Sequence, residues 1–247
     1  MLKLLVHGAN GHMGRILCGL IEADPAYTLV GRIDASGGEN CLGSLSEFTG
    51  DADMLVDFSH HSATQTLLNW AIARSIPVVL ATTGQTDEEK SLIRSAAQQI
   101  PIFFSANMSP AVALLADMAA QAVRMFPKAD VEIVERNHHR KLDVPSGTAL
   151  MLARAIQAER PDSTLNVGRH ENGRRNANEI GIHSLRMGNE VGTHEIIIDT
   201  GTERLTLTHQ AHDRALFAEG ALKAADFLAD KPAGLYDMQA LLNDQKR

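Results

Sequence analysis

Gly8, Gly11 and Gly14 stand between a short apolar run, Leu2–Val6, and a helical pattern from about Met13 to Ala23. Glycines so placed demand a tight strand-to-helix turn, open enough for a phosphate to approach the backbone. The helix N-terminus adds amide donors and a favourable dipole for an anion. Asp34 ends the next apolar run, Thr28–Ile33, twenty residues after Gly14. That is near the ~20-residue offset of an acid that hydrogen-bonds a ribose diol. The spacing is GxxGxxG, a variant of the GxGxxG dinucleotide pattern. The plainer alternative is a strand-helix turn that binds nothing.

The pattern continues. Strand signals at Met54–Phe58, Pro77–Ala81 and Pro101–Phe104 alternate with helical ones at Thr64–Ala73 and Asp87–Gln98. This predicts an α/β, Rossmann-like, doubly wound parallel sheet. Ligands of such sheets bind beyond the carboxyl ends of the strands. The candidate coenzyme residues are therefore Gly8, Asn10, Gly11, His12, Met13, Gly14 and Asp34, with Ala81, Thr82 and Thr83 after the fourth strand. Ser105, Asn107 and Met108 follow the fifth. The charge of Asp34 would repel a 2′-phosphate, and Ala35 follows it where an arginine would be wanted. The expected coenzyme is NADH or NADPH, leaning to NADH; Arg32, or a cation from another loop, is what NADPH would need.

After Asn107 the pattern changes. A helix is expected over Ala111–Met125 with Leu114, Leu115, Met118, Ala122 and Phe126 on one face. A strand at Val131–Glu135, a helix at Thr148–Gln157 and strands at Ile180–Met187, Glu195–Asp199 and Leu205–His209 follow. These predict a central α+β domain with a mostly antiparallel sheet. Ala215–Leu228 is a closing amphipathic helix.

Composition narrows the function. With 44% hydrophobic and 21% charged residues the chain is globular, not disordered. A net charge of −7 argues against a nucleic-acid partner, but not against a small anion, because cations can be gathered locally. Cys18 and Cys41 form no disulfide framework and no metal spacing. No apolar stretch approaches the ~20 residues of a membrane span, and the first apolar run is too short for a signal peptide. A soluble cytoplasmic protein without a metal is expected.

The densest chemistry lies at residues 132–149. A strand leads into Arg136, His138, His139, Arg140 and Lys141, and then into Ser146-Gly147-Thr148 at a helix start. A capped helix N-terminus is an anion site, and a cationic loop beside it can clamp a dicarboxylate and deliver a proton. Elsewhere, His60 and His61 read as loop or helix-start residues, Trp70 as helix-to-sheet packing, and Arg169–Arg175 as a solvated basic loop.

The run from Glu132 to Ala149 resembles the signature of the dihydrodipicolinate reductase family, close to E-[IV]-x-E-x-H-H-x-x-K-x-D-x-P-S-G-T-A. The resemblance spans the chain. It takes in Gly8–Arg15, Asp57-Phe58-Ser59, Ala81–Gly84, Ser184–Gly188, Val191–His194, Arg214 with Phe217–Ala221, and Gly234–Met238. It implies hydride transfer from NADH or NADPH to a small cyclic imine dicarboxylate, with Lys141 as proton donor. It also implies His138, Gly147 and Thr148 at the substrate, with His139 and Ser146 beside them as further candidates, and a homotetramer built through the central sheet. One position departs: Asn137 stands where the family carries its first histidine. Asparagine cannot exchange a proton near neutral pH, so either His138 or His139 takes that role through a loop adjustment, or Lys141 suffices, or activity is reduced. His138 with Lys141 is the favoured pair. The expected domains are 1–108 with 211–247 for the dinucleotide, and 109–210 for substrate and oligomerisation. Hinges near 107–109 and 209–212 would let one domain close over the other. Competing readings are a related dehydrogenase of aspartate or homoserine, and a nucleotide-binding regulator that has lost catalysis.

Overall fold

The computed structural model describes residues 1–245. In chain order the strands are β1 (Leu2–His7), β2 (Tyr27–Ile33), β3 (Met54–Asp57), β4 (Val78–Leu80), β5 (Pro101–Phe104) and β6 (Asp130–Asn137). Then come β7 (Thr164–Val167), β8 (Glu179–Arg186), β9 (Gly192–Asp199), β10 (Arg204–Ala211) and β11 (Gly234–Tyr236). The helices are α1 (His12–Ala23), α2 (Thr64–Arg74), α3 (Asp87–Ala96), α4 (Pro110–Met125), α5 (Gly147–Glu159), α6 (Ala215–Leu228) and α7 (Met238–Gln245). The chain divides into two compact units, one made of residues up to Ser109 and again from Arg214, the other of Pro110–Asp213.

The first unit holds a six-stranded sheet in the order β11-β5-β4-β3-β1-β2, every pair parallel. Parallel strands covered on both faces read as unbroken apolar runs. Accordingly Leu4, Leu5 and Val6 of β1 and every residue of β3 and β4 are buried. Helix α1 buries Gly14, Leu17, Cys18 and Ile21, one stripe at helical spacing. Thr86 and Glu89 close a reciprocal capping box at the start of α3. Strand β1 lies between β2 and β3, so the chain reverses its direction of travel there. That switch point is where such sheets open a crevice beyond the strand ends.

The second unit has a five-stranded mixed sheet, β10-β9-β6-β8-β7. Its β10–β9 and β9–β6 pairings are antiparallel; β6–β8 and β8–β7 are parallel. Val131 and Ile133 of β6, Ile180 and Ile182 of β8, and Ile196 and Ile198 of β9 pack against Val112, Leu115, Ala119 and Val123 of α4. Ala149, Leu152, Ala153 and Ile156 of α5 complete this cluster. The buried stripe of α4 only partly matches the expected one. Leu115 is buried and Ala122 and Phe126 pack against the cluster, but Leu114 and Met118 are 43% and 44% exposed. The helix is apolar almost all round, so its periodicity does not single out a face.

Strands β7 and β11 and helix α7 carry no expectation from periodicity. The two strands sit at sheet edges and are only half-buried, with Val167 and Leu235 exposed. An edge strand of three or four residues has too little pattern to be seen. Among the described residues no helix is long and apolar enough to cross a membrane, and no group of His, Cys, Asp and Glu is set to hold a metal ion.

Candidate active site

The glycine turn of the first unit is a cradle that a Cβ would fill. Gly8 has φ +79°, and a Cβ there would stand 2.6 Å from the Phe58 carbonyl group. At Gly14 it would fall 2.0 Å from the Gly8 carbonyl oxygen. Gly11 donates its amide to that same oxygen at 3.1 Å and is the N-cap of α1. No side chain caps α1, and its first turn, with His12 exposed and Met13 half-buried, holds no acid. The amide end and its dipole face outward for an anion.

Asp34 follows β2 beside this turn. It accepts from the Asn10 amide at 3.1 Å and from the Ser36 amide and hydroxyl at 3.0 and 2.7 Å. Partial burial works against its charge, but these donors outweigh it and hold the carboxyl below its usual range. The Asn10 side chain in turn donates to Ser36 Oγ and Gly37 O, at 2.8 and 3.0 Å. Arg32, the cation nearest in sequence, is engaged with Glu22.

Behind the cradle lies a cluster without forewarning in the sequence pattern. Buried Asp57, at the end of β3, accepts from Ser59 Oγ and Thr82 Oγ1, both at 2.6 Å. His7 Nδ1 lies 2.8 Å from the same carboxylate. Thr82 thus donates its hydroxyl hydrogen to Asp57 and ties the end of β4 to β3, keeping only acceptor capacity for a ligand. Ala81 is buried and Thr83 is exposed. Ser105 donates to the Asn107 carbonyl at 2.7 Å, and Asn107 Oδ1 accepts from the Ser109 amide at 2.8 Å. Met108 is buried. His60 and His61 start a 3-10 turn, where His61 reaches Glu89 at 3.0 Å, as a helix-start role implies.

In the second unit the anion end is the start of α5. Ser146 is its N-cap, accepting from the Ala149 amide at 3.1 Å. Gly147 is exposed and Thr148 half-buried, and no acid occupies the first turn. The preceding loop carries half-buried His138, exposed His139, and Lys141, whose Nζ lies 2.9 Å from Asp143 Oδ1. Lys141 also donates its amide to the His138 carbonyl at 3.1 Å.

Beneath this loop the core face of the sheet turns polar. Alternation along β6 places Glu135 and Asn137 on the same face as Val131 and Ile133. Glu135, fully buried, accepts from the Ser146 amide (3.0 Å), Ser184 Oγ (2.6 Å), Arg186 Nη2 (2.9 Å) and Asn137 Nδ2 (3.0 Å). His194 Nε2 lies 3.2 Å from Ser146 Oγ. Strand β6 keeps its register with β8 through Asn137↔Arg186. Asn137 thus closes the strand in register, and His138 and His139 stand in the loop that follows it.

Burial alone would raise the Glu135 carboxyl, but its donors bring it down to about 2. Burial pushes His194 down to about 4, against the attraction of Glu135. Both shifts leave the unfolded chain binding more protons than the folded one. For His194 that holds as the pH falls from 6.5 to about 4, and for Glu135 from 4.5 to about 2. Stability is thus full above pH 6.5 and declines through these windows. The Glu135 part is on the order of 3 kcal/mol at about 1.4 kcal/mol per unit. A calorimetric pH series is expected to show Tm falling before Glu135 itself titrates, and His194→Gln to flatten that first limb. A Tm constant down to pH 4 would contradict the assignment.

The Arg169–Arg175 loop is exposed from Arg169 to Arg174, as expected of a solvated loop, but its arginines also pair with the sheet. Arg175 bonds Glu132 at 3.0 Å and Asp130 at 2.8 Å, and Arg169 pairs with Glu179. These acids lie on β6 and β8, so the loop is stapled to the sheet.

Comparison with known proteins agrees with this geometry. A family profile described as dihydrodipicolinate reductase, N-terminus, matches residues 2–108, and its C-terminus counterpart matches residues 111–242. The 4-hydroxy-tetrahydrodipicolinate reductase of Caldanaerobacter subterraneus subsp. tengcongensis is 40% identical, over 98% of both chains. That of Burkholderia thailandensis is 36% identical, again over 98% of both. The fold matches that of a dipicolinate-bound dihydrodipicolinate reductase from Paenisporosarcina sp. TG-14, with a TM-score of 0.80 at 22% identity, covering 96% of this chain and 97% of that one. The chain belongs to the dihydrodipicolinate reductase family.

Proposed function

We propose that the chain reduces 4-hydroxy-tetrahydrodipicolinate to tetrahydrodipicolinate with NADH or NADPH, in the cytoplasmic route to diaminopimelate and lysine. The observation that carries this is the start of α5: an amide end capped by Ser146 with no acid in its first turn, where the Asp143 carboxylate of the preceding loop draws on the Gly147 amide and pairs with Lys141. An amide end of this kind holds a carboxylate, and the neighbouring ammonium is a proton donor. The first unit holds the coenzyme through Gly8, Gly11 and Gly14 at its pyrophosphate and Asp34 at its ribose. Asn10, His12 and Met13 complete the turn around it, and Ala81, Thr83, Ser105 and Asn107 line the neighbouring strand ends. When bound, the reduced nicotinamide supplies a hydride. Lys141 Nζ delivers the proton, and the 4-hydroxyl leaves as water. Gly147 and Thr148 hold one substrate carboxylate, with His138 and His139 beside it. The second unit binds substrate and assembles the homotetramer.

Dipicolinate, bound by the Paenisporosarcina relative, is the planar probe for the anion site. It is expected to compete with the substrate, and Thr148→Ala to weaken it about tenfold, the loss of one charge-assisted bond. Inhibition indifferent to Thr148 would contradict the placement.

Coenzyme choice follows from Asp34-Ala35 with Arg32 engaged by Glu22. NADH is the expected partner. Ala35→Arg is expected to raise the NADPH-to-NADH ratio of kcat/KM about tenfold, one new charge-assisted contact to the 2′-phosphate. An unchanged ratio would place the phosphate elsewhere.

A further inference from the structure

An apolar residue at position 135 would continue the packing of Val131 and Ile133, which share its face of β6. The chain instead buries a carboxylate completely there and sets Arg186 from β8 against it. A buried ion pair is weak support for stability, because desolvation of both charges offsets their attraction. Its value here is better sought in geometry.

The bonds of the pair divide in a telling way. Glu135 Oε1 accepts the Ser146 amide at 3.0 Å, at the cap of α5. Arg186 Nη2 bonds that same oxygen at 2.9 Å and also donates to the Asp143 carbonyl at 2.7 Å. Asp143 in turn holds the Lys141 ammonium at 2.9 Å. One pair therefore grips both ends of the segment from Asp143 to Ser146. One end leads to the proton donor, the other to the carboxylate-binding amides. Asn137 adds a neutral donor to Glu135 Oε2 at 3.0 Å, so the charge of the hub is balanced by Arg186. Ser184 fills the remaining direction at 2.6 Å.

We propose that Glu135 and Arg186 are positioning residues for the reduction, fixing the Lys141 ammonium and the amide end of α5 relative to each other. Neither touches substrate. The inference rests on the reading of the α5 start and Lys141 given above. Misplacement of reacting groups by ~1 Å costs up to about 100-fold in rate.

The test uses the full chain and two variants. Glu135→Gln/Arg186→Met removes both buried charges at similar volume, so that neither is left unpaired. It is expected to melt within a few degrees of the wild type and to bind NADH with unchanged Kd. Its kcat/KM for the dicarboxylate should fall about 10–100-fold. Arg186→Lys keeps the charge, but its ammonium stops one bond short of Nη2, the atom that bonds both Glu135 and the Asp143 carbonyl. It is expected to lose about tenfold in kcat/KM with Tm retained, which decides the matter if the double variant does not fold. Wild-type kcat/KM in a folded variant of either kind would overturn the proposal. A wild-type chain that never oxidises NADH would instead overturn the reading beneath it.

Discussion

Lys141→Ala is expected to lower kcat by about 10²–10⁴-fold, the range for loss of a general acid. The Lys141 side chain is three-quarters buried, with Asp143 against its ammonium, and stands in the loop before the α5 anion site. Asn137, at the position of the family's first histidine, is buried and donates to Glu135, so it offers no alternative proton. The Kd for NADH should be unchanged, because the glycine cradle belongs to the other unit. KM for the dicarboxylate should rise far less than kcat falls. Added methylammonium should restore part of the rate by entering the vacated space. Unchanged turnover would remove Lys141 from the chemistry and leave His138 as the candidate.

Gly14→Ala is expected to abolish coenzyme binding at working concentrations and to lower Tm by several degrees. The added Cβ meets the Gly8 carbonyl oxygen at 2.0 Å and the Ala9 Cα at 2.7 Å. Both are backbone atoms of the turn itself, so no side chain can swing aside. Relief requires α1 to move off β1, which displaces the amide end from the pyrophosphate. Overpacking of this kind costs about 1–3 kcal/mol, and for a chain of this size each kcal/mol shifts Tm by about 2–4 °C. Gly19→Ala is the internal control, on the same helix with nothing within 4 Å of its added Cβ. It should be neutral or stabilising by about 0.5–1 kcal/mol. Equal behaviour of the two variants, measured by calorimetry and NADH titration, would contradict the cradle.

The parts of the molecule governed by backbone chemistry were legible from residue order. Gly8, Gly11, Gly14 and Asp34 announce the nucleotide turn because few other residues fit it. Ser146 announces the start of α5 because its hydroxyl must cap an amide. What stayed hidden depends on partners distant in sequence. Arg175 looks solvated until β6 brings Glu132 to it, 43 residues away. His7 and Asp57 meet only because β1 and β3 pair. Glu135 reads as an ordinary strand residue, although the alternation Val131, Ile133, Glu135, Asn137 already places a carboxylate on the core face. That was the available signal for the hub. Its partners Arg186 and His194 lay in segments quoted for their resemblance, without a role.

The most direct measurement of the central claim is loss of the reduced-nicotinamide absorbance with 4-hydroxy-tetrahydrodipicolinate generated in situ. The preceding synthase makes this substrate from pyruvate and aspartate semialdehyde. NADH and NADPH would be compared side by side. Oxidation is expected to depend on the synthase, to be faster with NADH, and to be lost in Lys141→Ala. No oxidation by a folded chain that still binds NADH would contradict this expectation, and would mean a changed substrate or a lost activity at the Asn137 site.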